Sequence, residues 1–261
     1  MLVMQMIGTA FVLIVLWMTL FWIIYFFQKN AGIVDIAWPL GFVLVAIVYA
    51  AMGDGEFWFK WTFTAMVTMW GLRLGLYLSS RYKKGVEDPR YTEMIKAWGP
   101  SHTVVKVYLM FLFQGFLILI LSLPMLVVSL NRYGSIGTVQ IVAIVLWALS
   151  LWGEYTADKQ MARFKAYAFN KTSVCEEGWW FYSRHPNYFF EWLIWVSYCL
   201  YAITSPMGWL TIYCPLLMLY FLLYVSGVKI TEELALRTKG DAYRHYQATT
   251  SKFIPWFKKG I

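Results

Sequence analysis

The 261-residue chain is 60% hydrophobic, 20% aromatic and only 14% charged, where a soluble globular domain carries about 25% charged residues. That composition excludes a soluble domain and points to a chain that lives in a bilayer. The formal net charge of +8 is no nucleic-acid footprint, because the basic residues collect in the loops between apolar runs.

Those runs cover residues 4–27, 33–52, 57–79, 104–130, 137–157, 188–204 and 208–227. Each has about the 17–25 residues needed to cross roughly 30 Å of hydrocarbon. The expected fold is all-α, a polytopic membrane protein with seven transmembrane helices in a single domain, 1–261. The first run is too long for a signal-peptide core and no small-residue cleavage site follows it, so it is expected to remain a helix. Of the 22 Lys and Arg residues, 19 fall on one side of such a bundle, with Lys60 and Arg132 on the other and Arg73 inside a span. Basic loops stay in the cytoplasm, which predicts an external N-terminus and a cytoplasmic C-terminus. The loops 80–106 and 158–187 are long for connections in a compact domain, and long ordered loops tend to carry function. Cys175, Cys199 and Cys214 have no metal or disulfide spacing and read as small buried hydrophobes. His102, His185 and His245 are far apart, so no metal is expected.

Polar residues gather in four places along the chain. Asp35, with Trp38 and Pro39, lies early in the second run. It reads either as a buried carboxyl kept neutral, able to donate a proton, or as a helix cap. Arg73, Tyr77 and Arg81 fall at i, i+4 and i+8 on one helix face, followed by Glu87-Asp88-Pro89-Arg90-Tyr91; the two arginines suit a site or simple snorkelling. Glu154 and Asp158 share a face near Arg163 and Lys165, which suit a phosphate or an ordinary charged helix end. The fourth group runs from Gly178 to Glu191 and includes Tyr182-Ser183-Arg184-His185-Pro186-Asn187-Tyr188. Pro186 suits the first turn of a helix, and polar residues at a helix start attract anions. Glu232, Glu233, Arg237, Tyr243 and Tyr246 complement it. The flat faces of Trp179, Trp180 and the tyrosines suit a nicotinamide or adenine ring, or an interfacial aromatic belt.

The Gly178-Trp-Trp-Phe-Tyr-Ser-Arg-His-Pro-Asn-Tyr-Phe-Phe-Glu191 segment resembles the signature of the steroid 5-alpha-reductase and sterol-reductase superfamily, and most of all its bacterial branch. Glu154, Ala157, Asp158, Gln160, Phe164 and Lys165 resemble the upstream pattern of that branch. Tyr243-Arg-His-Tyr246 and Phe253-Ile-Pro-Trp256 resemble its closing segment. The resemblance covers about residues 30 to 258. It implies NADPH held by the C-terminal half, 131–261, and a substrate cavity mainly in 1–130. The implied cofactor residues are Asp158, Lys165, Arg184, Asn187, Tyr188, Glu191 and Tyr246; the local chemistry adds Arg163, Trp180, Tyr182, His185, Glu233 and Tyr243. In the substrate half Asp35 resembles the family's glutamate, but Trp70 stands where the steroid enzymes have a tyrosine, which argues against a 3-oxo-Δ4 steroid. Asp35, Arg73 and Tyr77 are the expected catalytic set.

The resemblance thus implies an NADPH-dependent reductase of a C=C bond in a lipophilic enone or polycyclic alkene. Its expected partners are that small molecule and membrane lipids, with no nucleic acid and no metal. Its expected location is a bacterial inner membrane with the cofactor site facing the cytoplasm. A second reading is a membrane methyltransferase using S-adenosylmethionine, which also employs an Arg-His-Pro-x-Tyr segment and a downstream Glu-Glu pair. A third is a non-catalytic lipid-binding or transport protein.

Overall fold

A computed structural model describes residues 1–82, 85–87, 89–99, 103–167, 172–225 and 227–259. His102, Asp88, and the loop bases Lys83, Lys84 and Lys171 lie outside the described residues. The described residues are helical, with no strand beyond one isolated parallel bridge between Ser183 and Ser251. Five helical stretches are long and apolar enough to cross a membrane: Leu2–Gln28, Ile33–Met52, Thr103–Leu121, Thr138–Ala166 and Gly208–Lys239. The other two expected spans fall short. The run at 57–79 is a long helix, Phe57–Arg81, diluted by Trp, Thr and the basic residues Lys60, Arg73 and Arg81. The run at 188–204 is a helix of only 17 residues, Pro186–Ala202.

The chain packs as two compact units. The first comprises Met1–Gly137 with Ala202–Trp209. It contains α1 (Leu2–Gln28), α2 (Ile33–Met52), α3 (Phe57–Arg81), α4 (Pro89–Trp98), α5 (Thr103–Leu121) and the short α6 (Leu123–Ser129). Helix α2 is central and packs on α1, α3, α5 and α6. The indole of Trp17 on α1 donates to the Ala37 carbonyl at 3.0 Å, and Thr19 and Tyr108 link α1 to α5 at 3.0 Å. Helices α2 and α3 approach closely at Gly71: a Cβ there would lie 2.5 Å from Val43 and 2.8 Å from the Pro39 carbonyl oxygen. The expected single run 104–130 is broken at Ser122, because Pro124 cannot continue the α5 hydrogen-bond ladder but is tolerated in the first turn of α6. The outer face of α1 stays open, with Phe11, Leu16 and Leu20 exposed, as a lipid-facing helix requires.

The second unit comprises Thr138–Tyr201 with Leu210–Ile261. It holds α7 (Thr138–Ala166), α8 (Trp179–Tyr182), α9 (Pro186–Ala202), α10 (Tyr213–Tyr220), α11 (Val228–Lys239) and α12 (Asp241–Thr249). Helix α7 runs to Ala166 rather than ending at 157, because the extension is built of good helix formers such as Ala, Lys, Gln and Arg. Asp158, Arg163 and Lys165 therefore sit on a helix, not in a loop. Pro186 opens α9, where its missing N–H is harmless. A five-residue π turn, Phe221–Val225, follows α10.

Candidate functional site

Two polar clusters organise the chain, one in each unit. In the first unit, the turn between α1 and α2 is laced to the segment preceding α4. Asn30 Nδ2 donates to the Val86 carbonyl at 2.6 Å, the Ala31 N–H donates to Glu87 Oε1 at 2.7 Å, and the Tyr82 hydroxyl donates to Gln28 Oε1 at 2.7 Å. This lacing brings α4 over the start of α2. The Asp35 carboxylate accepts from Arg90 Nη2 and from the Tyr91 hydroxyl, both at 2.6 Å. Asp35 is not the cap of α2, since Gly32 holds that position. Nor does it stand alone, since the Arg90 guanidinium lies at ion-pair distance.

Arg73, Tyr77 and Arg81 share one face of α3, as their spacing requires. The Arg73 guanidinium lies 6.0 Å and that of Arg81 5.3 Å from the Tyr77 ring centre, and Arg81 Nη1 donates to the Tyr77 hydroxyl at 3.2 Å. Trp70 is fully buried in an aromatic group with Trp38 and Phe42. Tyr91 stands in the polar run that closes the second cluster, where nothing in the sequence assigns it a role. Its phenol reaches Asp35 from 56 positions away, a pairing that no local pattern announces.

In the second unit, Gly178 turns the chain in the left-handed region at φ 57°, where a Cβ would strike the Gln160 side chain. The turn lets α8 dock on α7. The Trp179 N–H donates to Gln160 Oε1 at 3.0 Å, the Trp179 indole to Thr156 Oγ1 at 2.9 Å, and the Trp180 indole to the Ala157 carbonyl at 2.9 Å. Both indole N–H groups are thus committed to helix docking, and Trp180 is buried, so it offers no open ring face.

The Arg-His-Pro segment that follows is the centre of the network. Arg184 Nε donates to Glu232 Oε1 at 2.7 Å, and its Nη1 donates to the carbonyls of Gln247 and Thr250, each at 2.8 Å. His185 Nε2 lies 3.2 Å from the same Glu232 oxygen, and its ring stacks on Tyr188 at 5.6 Å and 3°. Gln247 Nε2 adds a bond to Glu232 Oε2 at 3.1 Å. The Tyr246 hydroxyl donates to the Trp180 and Ser183 carbonyls, and Tyr243 packs edge-on to Tyr246 at 5.8 Å. Burial raises the pKa of both tyrosines and of the Cys175 thiol, so all three stay protonated. Burial also lowers the pKa of His185, against the opposing pull of Glu232.

This sorts the expected cofactor residues by what they touch. Asp158, Trp180, Arg184, His185, Glu191, Tyr243 and Tyr246 are buried. Arg184, one of the implied cofactor residues, ties the start of α9 to α11, to Gln247 of α12 and to Thr250 beyond it. Glu191 accepts from the Trp195 indole at 2.9 Å. Arg163, Lys165, Tyr182 and Glu233 are exposed, and Asn187 and Tyr188 are half-buried. The contacts of those last two are long: Asn187 Nδ2 to Asp158 Oδ1 at 3.4 Å, and the Tyr188 hydroxyl to Thr231 Oγ1 at 3.5 Å. Bonds that loose yield readily to a ligand. A groove of about 290 Å³ opens beside the network, lined by Tyr224, Lys229, Glu232, Glu233, Gln247 and Lys252 among others. That is near the lower end of small-ligand pockets, about 300–1,000 Å³.

The buried histidine makes stability depend on pH. The His185 pKa lies below its ordinary 6.5 in the folded state, so the unfolded chain binds a proton first. Stability is expected to fall as pH drops below about 6.5 and to level off beneath the folded pKa. Denaturation midpoints in detergent between about pH 8 and pH 5 should show this slope reduced in His185→Gln. An identical slope in the variant would overturn the assignment.

Comparison with known proteins gives the family. The chain is 24% identical over 269 residues to a Schizosaccharomyces pombe protein described as uncharacterized, a match covering 90% of this chain and 75% of the other. It is 28% identical over 130 residues to the Delta(14)-sterol reductase of Candida albicans, which covers 46% of this chain and 28% of that enzyme. No solved structure matches. The family model described as "Protein of unknown function (DUF1295)" matches residues 21–250, so the chain belongs to this family of the steroid 5-alpha-reductase-like group.

Proposed function

We propose that the protein is an integral-membrane, NADPH-dependent reductase of a C=C bond in a lipophilic enone or polycyclic alkene. The observation that carries this reading is the similarity to the Delta(14)-sterol reductase. The surface chemistry of the second unit supports it. Asn187 and Tyr188, at the first turn of α9, present an amide and a hydroxyl whose hydrogen bonds are long. Asn187 bonds to Asp158, and Arg163 and Lys165 lie five and seven residues further along α7, roughly 7–11 Å at 1.5 Å per residue. That spacing lets one extended anionic ligand touch both places.

NADPH, when bound, supplies the hydride. In this reading Arg163 and Lys165 hold its phosphates, and Asn187 and Tyr188 orient the portion nearer α9. Arg184, His185 and Glu232 keep the start of α9 in place and do not themselves contact phosphate. In the first unit, the Tyr91 hydroxyl, bonded to Asp35, is the donor assigned to polarising a substrate carbonyl. In this reading the C-terminus and the cofactor residues face the cytoplasm, which the basic residues of the loops support.

Titration of the detergent-purified protein tests the proposal. NADPH should bind more tightly than NADH by about 1.5–3 kcal/mol, the contribution of a hydrogen bond to a charged group, which is roughly 10- to 150-fold. Arg163→Ala with Lys165→Ala should remove most of that preference. Equal affinities for the two nucleotides, or binding of S-adenosylmethionine alone, would overturn the reductase reading and favour the methyltransferase.

A further inference from the structure

The chain after α12 crosses back over the Arg-His-Pro segment as a fixed strap, residues 250–259. The Arg184 N–H donates to the Ser251 carbonyl at 2.9 Å, Ser183 Oγ to the Phe253 carbonyl at 2.8 Å, and the Trp256 N–H to the Tyr182 carbonyl at 2.9 Å. Lys259 N–H closes the strap on the Thr249 carbonyl at 2.9 Å. Phe253 is buried against Phe189 and Trp192 of α9, with ring centres 5.8 and 6.0 Å away. One aromatic side chain therefore anchors the strap, and a row of hydrogen bonds fixes its path.

The rest of its apolar content faces outward. Ile254, Trp256 and Phe257 are 58%, 67% and 73% exposed. Their rings join those of α8 into one patch: Phe257 meets Tyr182 at 6.2 Å and Trp256 at 6.2 Å, and Tyr182 meets Phe181 at 5.1 Å. Lysines stud the same strap. Lys252 and Lys259 are exposed, while Lys258 pairs with Glu176 and lies 4.8 Å over the Phe181 ring. A flexible tail could fold such side chains away from water, but this one is held by its backbone bonds and cannot. A contiguous exposed apolar patch with a polar rim marks an interaction surface.

We infer that the strap is a docking surface for the anionic headgroup layer of a bilayer. Two observations select that occupant. Aromatic rings mixed with lysines are the chemistry of the membrane interface, where rings lie at headgroup depth and cations meet anionic lipid. The chain itself carries five helices fit to cross a membrane, so such a surface is always at hand. Because the strap is bonded through its backbone to Tyr182, Ser183 and Arg184, its docking also holds the start of α9 at the membrane surface.

A fluorescent label on the full-length, reconstituted protein tests this. The native cysteines 175, 199 and 214 are all buried, so Phe257→Cys and, separately, Trp256→Cys accept an environment-sensitive nitrobenzoxadiazole dye selectively. In vesicles containing phosphatidylglycerol, both labels should show blue-shifted emission and be quenched by lipids carrying a nitroxide near the headgroup. Adding Lys252→Glu with Lys259→Glu should shift the emission back toward the value in water and weaken the quenching. Water-like emission at both positions would overturn the inference. So would blue-shifted emission that lipid nitroxides fail to quench, which would mean that a second protein copy covers the patch. Quenching unchanged by the charge reversal, or equal in pure phosphatidylcholine, would overturn the anionic partner.

Discussion

Glu232→Ala is expected to destabilise the second unit by about 3–5 kcal/mol, the usual effect of breaking a buried ion pair by removing one partner. The Arg184 and Glu232 side chains are only 9% and 13% exposed, so water from the adjoining groove replaces the lost carboxylate only in part. The variant leaves a guanidinium with its charge uncompensated, and it also strips His185 and Gln247 of their shared acceptor. Chemical denaturation in detergent, followed by tryptophan fluorescence, reads the change. The pair Arg184→Met with Glu232→Leu sharpens the test. Replacing both ions with apolar groups is often neutral, but here Arg184 also satisfies the Gln247 and Thr250 carbonyls. Each orphaned buried acceptor costs about 1–3 kcal/mol. The double variant should therefore recover only part of the loss. Full recovery would mean that the two carbonyl bonds contribute little, and a single-variant effect below about 1 kcal/mol, the range of an exposed pair, would remove the network from its central position.

Asp35→Asn is expected to keep cofactor affinity and to lose about 10²–10⁴-fold in turnover on a confirmed substrate, the range for removing a general acid or base. Asn retains an oxygen for the Tyr91 hydroxyl but no charge opposite Arg90. A purely structural role for Asp35 would lower the melting temperature and leave turnover per folded molecule intact. A catalytic role would do the reverse. Tyr91→Phe separates the two partners further, since it removes the phenol and leaves the Arg90 ion pair in place. Near-normal turnover in both variants would reduce the cluster to a staple between α4 and α2.

The features that the sequence determined by itself are those set within a turn or two of chain. The composition and the apolar runs fixed an all-helical membrane protein, because burying backbone polar groups in hydrocarbon demands helices. Pro186 marked the start of α9 through its missing N–H, and the i, i+4, i+8 spacing put Arg73, Tyr77 and Arg81 on one face. The count of spans was less legible. Run length alone did not register Pro124 splitting 104–130, or the Trp, Thr and basic content that makes α3 less apolar than its neighbours. The motif from Gly178 to Glu191 was visible as chemistry, but the jobs of its residues were not. Arg184 looks the same in sequence whether it grips a phosphate or a glutamate 48 residues away. Tyr91 stood in a polar run without a partner until α4 was folded over α2, and Trp180 looked like an open ring until α8 docked on α7. Periodicity and capping act over three or four residues, whereas these partners are chosen by packing between distant segments, and that choice exists only in the tertiary structure.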